Sequence, residues 1–373
     1  MATRRLLRSA GHPRFSASQT ARRERLWALA VVDTLTHAVI GALGARTLIA
    51  QRLPRRWSLA AGALGGLFPD IDYLWFLLDP LQFHAYWHRS FTHSLLMLPL
   101  WALLLSVTLY LLGGRKQNGW LLYLGCALGL GLHIAADLIT AWDLQLFWPL
   151  SDWRTSLAWI FVIDPWFSAL ALTALLLCWR WPHAGWLGAA PLVLWLIWSI
   201  QYKQQALELA QAFAQQQAEA AQVSVWPQPF SPRNWKLLVS GTHGHWQAHL
   251  RLGDSRSRLA DYWPHPWLRS TAQAYQPHSA LIWQFHPRFD SPQGDGETAL
   301  QLWHSEMLQD VRQFFSAPAR YHQPDSSANH CLWFTDLIYS LPTQRPPFIY
   351  GACRSPSSFW QLSRQPVTAT SAE

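Results

Sequence analysis

The first 202 residues carry six apolar stretches, at about 27–49, 57–78, 94–112, 120–139, 159–179 and 184–202. Each is close to the ~20 residues with which a helix crosses a bilayer, so this pattern constrains the fold before any single residue does. It predicts an all-α polytopic membrane helix bundle of about six helices. The stretches 94–112 ("SLLMLPLWALLLSVTLYLL") and 159–179 are the purest, and Pro191 interrupts the last. Composition points the same way: only 13% of residues are charged, against about 25% in soluble domains, and 25 tryptophans suit membrane–water interfaces.

Mean hydropathy is nonetheless near zero, at +0.01, so a polar portion must balance the apolar one. The change comes near residue 203. Residues 203–222 ("KQQALELAQAFAQQQAEAAQ") are strong helix formers and read as a helical stalk. From 223 to 365, Pro, Trp and His punctuate short alternating runs such as "NWKLLVS" and "WQAHLRL", which predicts a small β-rich or α+β soluble domain. Residues 366–373 read as a disordered tail. The net charge of +8 calls for no nucleic-acid partner, because the basic residues fall in the first 25 positions and in short loops rather than in one patch. No Walker loop, dinucleotide fingerprint or GxSxG is present.

Ionisable side chains at membrane depth cost several kcal/mol and so mark function. Four such clusters lie in the first four apolar stretches. In "DTLTHAVIG", Asp33 and His37 stand four apart on one helix face; "GGLFPDIDY" holds Asp70 and Asp72. "FHAYWHRSFTHS" holds His84, His88 and His93, and "HIAADLITAWD" again spaces His133 and Asp137 by four. If the helices alternate in direction, all four clusters reach one membrane face. A single such histidine is as readily a packed core residue, and an Asp–His pair a helix-to-helix hydrogen bond. Four clusters on one face favour a compact metal site instead. Imidazole with carboxylate is the donor set of zinc, with manganese or iron as alternatives, and the ligand supply suits one or two divalent ions. A proton or cation transporter uses the same residue types, and a membrane scaffold with a structural metal is the third reading.

The motifs "DTLTHAVIGALG", "GGLFPDIDYL", "HRSFTHSLL" and "HIAADLITAW", in this order, resemble the LexA-regulated inner-membrane metal-dependent hydrolase family, and "LFWPLS" and "FVIDPWF" extend the likeness. It covers roughly 32–180. The resemblance implies a hydrolase of the bacterial inner membrane whose metal ligands are His37, Asp70, His88, His93, His133 and Asp137. It leaves Asp72 as a catalytic carboxylate, a ligand or a group orienting a histidine. Metal-activated water would attack a phosphoester or related ester, with a lipid-derived one natural at an interface. Arg89 and Arg154 are placed to bind substrate phosphate, although anchoring helix ends is an equal reading. Because that family commonly begins at the "DTLTH" position, residues 1–31 are either an untranslated basic extension or a basic cytoplasmic tail.

Sidedness rests on the loops. Arg46, Arg52, Arg55, Arg56, Arg115, Lys116 and Arg180 lie opposite the clusters, whereas Asp79, Asp143 and Asp152 accompany Arg89 and Arg154 on their side. Basic loops stay in the cytoplasm, so the metal site and C-terminal domain are expected outside it. The Arg-rich N-terminus argues the other way. On the outside, Cys331 and Cys353 would be able to form a disulfide. His243, His245 and His249 in "HGHWQAH" are a weaker metal signal, lacking any carboxylate.

Overall fold

The computed structural model describes residues 17–49, 51–181, 185–217, 222–253, 265–290, 294–322, 330–355 and 359–364. Side chains are described from Asp33 onward, so residues 1–16 of the basic extension and the tail expected at 366–373 lie outside the described residues.

The N-terminal half is helical. α1 (Ala17–Ile49), α2 (Arg55–Leu67) and α4 (Gly119–Leu138) form its tightest unit. They pack so closely because glycines face one another: a Cβ on Gly62 would lie 2.2 Å from the Gly41 carbonyl, and one on Gly129 would lie 2.3 Å from that of Gly62. α3 (Leu98–Leu109) lies against α4, and α5 (Pro165–Arg180) and α6 (Gly185–Ala214) close the other side. Local chemistry sets the helix starts: Asn118 and Asp164 each accept hydrogen bonds from two backbone N–H groups of the first turn, and Pro165 takes the first position of α5.

α6 continues without a break from its apolar half into the polar stretch as far as Ala214. There it packs under a four-stranded antiparallel sheet, β1 (Gln222–Pro227), β2 (Asn234–Ser240), β3 (Gly244–Arg251) and β4 (Gln284–Pro287), in sequential order. Ala206 and Ala210 of α6 share a core with Trp235, Leu237, Ala248 and Leu250. After α7 (Pro266–Gln273), β4, α8 (Gly296–His304) and α9 (Gln309–Phe314) comes a second antiparallel sheet of four strands in sequential order: β5 (Pro318–Tyr321), β6 (His330–Asp336), β7 (Ile349–Arg354) and β8 (Gln361–Arg364). Cys331 and Cys353 face each other across β6 and β7 and are joined by a disulfide.

Two contacts tie the sheets and helices together. The buried Lys236 Nζ on β2 hydrogen-bonds the carbonyls of Leu337, Ile338 and Ser340, which follow β6. Leu81 and Ala85, from the turns between α2 and α3, enter the core formed by Trp303, Phe314, Phe334 and Tyr350.

The six-helix membrane bundle expected from the sequence is not what forms; the fold is mixed α/β with two four-stranded antiparallel sheets. Among the described residues one helix, Gly119–Leu138, is long and apolar enough to cross a membrane, or two spans if Pro80–His93 and Leu98–Gly113, bent by 70°, count as one. The apolar windows overlooked where helices break. The second stretch leaves α-helix at Leu67 for a tight turn through Pro69, Asp70 and Asp72, so α2 has 13 residues and is only about 20 Å long. α5 is also short, at 16 residues. α6 has the length, but Gly185, Gly188, Pro191 and three tryptophans dilute its apolar half.

Candidate metal centre

The polar clusters meet where α1, the turn after α2, the 83–93 turns and the end of α4 come together. His37 on α1 places Nε2 3.2 Å from Asp137 Oδ1 and 3.5 Å from Asp33 Oδ1. His133, one turn before Asp137, points Nε2 to within 3.4 Å of Asp137 Oδ2 and 3.7 Å of Asp70 Oδ1. His93 Nε2 lies 3.1 Å from the same Asp137 oxygen and 3.1 Å from His133 Nε2. Three overlapping groups result, each compact enough to hold a cation: Asp33, His37 and Asp137; His37, Asp70 and His133; His93, His133 and Asp137. His37, His133 and Asp137, each in two of the groups, are the hub. Asp33, which the sequence placed beside His37 but outside the ligand set, joins them.

His88 does not. It lies outside all three groups and turns Nδ1 to Asp72 Oδ2, 3.3 Å away. Asp72 sits beneath the cluster, within 3.8 Å of His93 Nδ1, and accepts the Arg89 backbone N–H at 3.0 Å. It therefore stands behind His88, in the arrangement that fixes which imidazole nitrogen carries the proton, while His93 Nδ1 hydrogen-bonds Thr92 Oγ1 at 2.9 Å. Burial pushes the Asp72 carboxyl up to about 7.

Both arginines are committed to the protein. Arg89 is buried, with its guanidinium 2.8 Å from Asp137 Oδ1 and 3.9 Å from Asp33 Oδ2, and it donates to Thr140 Oγ1 and the Trp142 carbonyl. Its backbone takes φ 54°, a left-handed conformation that costs a non-glycine residue energy and is tolerated where surroundings fix it. Arg154 donates to the carbonyls of Ala85, Tyr86 and His88 and so pins the turn that carries His88. His84 lies apart, stacked between Trp142 and Phe314.

Protonation tests whether a cation fits. The Gly66 carbonyl can only accept, so His133 donates to it from Nδ1 at 2.7 Å and keeps a bare lone pair on Nε2. That lone pair faces Asp137 Oδ2 and His93 Nε2. Both His37 nitrogens and Asp137 Oδ2 are buried and make no hydrogen bond, while Asp137 Oδ1 meets the Arg89 guanidinium. Such unsatisfied groups, crowded together in a dry site, are costly unless a cation joins them. The donor set suits zinc, and His133 held through Nδ1 by a carbonyl is the usual support of a metal-bound imidazole.

The fold and this cluster define a class: a helical, apolar-surfaced unit built around a buried His/Asp centre, with a mixed α/β domain docked on it. Residues 32–207 match the family model of the YdjM inner membrane protein, which agrees with the LexA-regulated inner-membrane resemblance of the motifs and says nothing of hydrolysis. No curated protein and no solved structure matches the chain. The match ends in α6, before the two sheets.

Proposed function

We propose that this chain is a membrane-bound metal-dependent hydrolase of phosphoesters or related esters. The observation that carries the proposal is the convergence of His93 Nε2, His133 Nε2 and Asp137 Oδ2 within 3.4 Å of one another, with the His133 proton held on the far nitrogen. His93, His133, Asp137, His37, Asp70 and Asp33 would hold the metal, and the overlap of the three groups favours two ions, zinc by ligand type. When bound, such ions supply a Lewis acid and an acidified water. Around them the chain has distinct tasks. Asp72 keeps the proton of His88 on the side facing it, and Thr92 Oγ1 does the corresponding work at His93 Nδ1. Arg89 balances the charge of Asp137 and Asp33. Asp33 and Asp70, whose side chains are 14% and 10% exposed, form the accessible edge through which water and substrate would reach the ions.

That edge adjoins exposed Leu35, Ile71 and Leu74, which supports an amphiphilic, lipid-derived substrate. Outward-facing Leu100, Leu103, Leu104, Leu176 and Leu194 support lipid contact for the helical unit as a whole. The disulfide between Cys331 and Cys353 supports an extracytoplasmic C-terminal domain, and with it an extracytoplasmic site. A screen of the purified, metal-loaded protein against phosphoester and phospholipid substrates tests the activity. Turnover lost in His133→Ala supports it. Metal binding without turnover of any ester, together with cation flux in vesicles, would transfer the site to transport.

A further inference from the structure

The C-terminal domain holds a cavity of about 680 Å³ between the polar face of the first sheet and the second sheet. The strand register builds its floor. Gln247 and His249 on β3 share a face with Gln284 and His286 on β4, while the opposite face of the sheet packs on α6. The walls come from the second sheet and from the segments around Ala280 and Pro342. Two buried polar atoms on this floor, Gln247 Oε1 and His286 Nε2, have no hydrogen-bond partner, and Gln247 is 94% enclosed by its 6% exposure. An unpaired buried polar atom costs about 1–3 kcal/mol, so these atoms mark a place made for a ligand.

The lining says what kind. Among the described residues that line it there is no aspartate or glutamate, which disfavours a cation. Its cationic side chain, Arg320, is ion-paired with Asp295 at 2.8 Å, and burial holds His249 down to about 3 and His286 below its ordinary value, which disfavours an anion. A peptide strand is disfavoured too, because the backbone edge of β3 is taken: Gln276 N–H donates to the His249 carbonyl, and Arg251 N–H to that of Gln276. What remains is neutral amide and imidazole, from Gln247, Gln284, Gln344 and His286, set against apolar Ile282 and Leu341. Hydroxyls paired with amides, and C–H faces laid on aliphatic side chains, are how a sugar ring is held. The volume lies within the ~300–1,000 Å³ of small-molecule sites.

We infer that this cavity is a binding site for an uncharged sugar of one or two rings. His245, the other histidine on this face, has both nitrogens engaged, with Ser240 Oγ and the Pro318 carbonyl, and serves the fold instead. The site is independent of the metal centre and does not rest on hydrolysis.

Ligand-observed NMR on the full chain in detergent, with maltose and N,N′-diacetylchitobiose as probes, tests it. At least one is expected to bind with a dissociation constant below about 10 mM. Gln247→Leu removes the orphaned acceptor and is expected to weaken that binding by about tenfold, the value of one well-placed hydrogen bond. Gln284→Ala, at an exposed position that the fold tolerates, is expected to weaken it severalfold and decides the matter if Gln247→Leu does not fold. Metal content stays unchanged in both. Failure of both sugars to bind, unchanged affinity in every folded variant, or tighter binding of glucuronate than of the neutral sugars would overturn the assignment.

Discussion

Gly66 supports the candidate metal centre without being part of it, and its replacement measures how tightly the helices hold the proposed ligands. A Cβ at this position would lie 2.3 Å from the His37 carbonyl oxygen and 2.9 Å from its carbon. Both are backbone atoms of α1, so no side chain can move aside. α1 must withdraw from α2 by about 1 Å to restore ordinary contact, carrying His37 away from Asp137 and His133. The Gly66 carbonyl also fixes His133 through Nδ1, so the same substitution disturbs two ligands. Overpacking of this kind costs about 1–3 kcal/mol, and misplacing the support of a metal-bound histidine costs about 10–100-fold in affinity. Gly66→Ala is therefore expected to bind metal about 10–100-fold more weakly in a competition titration against a chelator. Gly44→Ala is the control, because its Cβ would meet only the flexible tip of Leu132, and it is expected to bind as the parent does. Parental affinity in Gly66→Ala would refute the argument that glycine packing positions the site.

Three further outcomes are expected. A periplasm-active reporter fused after Glu373 is expected to be active, whereas activity from a cytoplasm-only reporter would reverse the proposed orientation. Cys331→Ser, which opens the disulfide spanning 22 positions, is expected to lower stability by about 3 kcal/mol in denaturant unfolding, and an unchanged midpoint would count against it. Burial pushes Lys236 down to about 7, below its unfolded value near 10.4. Between those values the unfolded chain binds the extra proton, so stability should fall as pH drops through that window, by up to about 1.4 kcal/mol per unit, and level off below it. Lys236→Met should remove this dependence. A flat profile in the parent would mean that the ring of carbonyls keeps the ammonium charged.

Much of the site was legible because helix periodicity is local. His133 and Asp137, or Asp33 and His37, share a face by spacing alone, and neither pair needs tertiary knowledge. The division of labour among the acids and histidines was not legible. Asp70 and Asp72 are two apart in one tight turn, yet one edges the cluster and the other lies behind His88 and His93. That difference arises from how the turn after Leu67 seats against the 83–93 segment. Arg89 looked like an anion binder from its position, but its left-handed backbone turns the guanidinium inward to Asp137. The membrane bundle was the larger error. Hydropathy counts apolar residues without locating the break at Pro69 or registering that Gly41, Gly62 and Gly129 exist for helix-to-helix contact rather than for lipid. The cavity between the two sheets had one faint signal, the even spacing of His243, His245 and His249, which read as a weak metal site and of which only His249 lines the cavity. It became meaningful only once β4 supplied His286 and Gln284 on the same face.

The central claim is that the buried His/Asp cluster holds metal, and elemental analysis of the purified full chain tests it most directly. One or two equivalents of divalent metal per chain are predicted, zinc foremost. Asp137→Ala is predicted to lose them while still fractionating with membranes, since that residue is common to two of the three groups and contacts His37, His93 and His133. Parental protein free of metal after growth and dialysis with zinc, or an Asp137→Ala variant with full occupancy, would contradict the account.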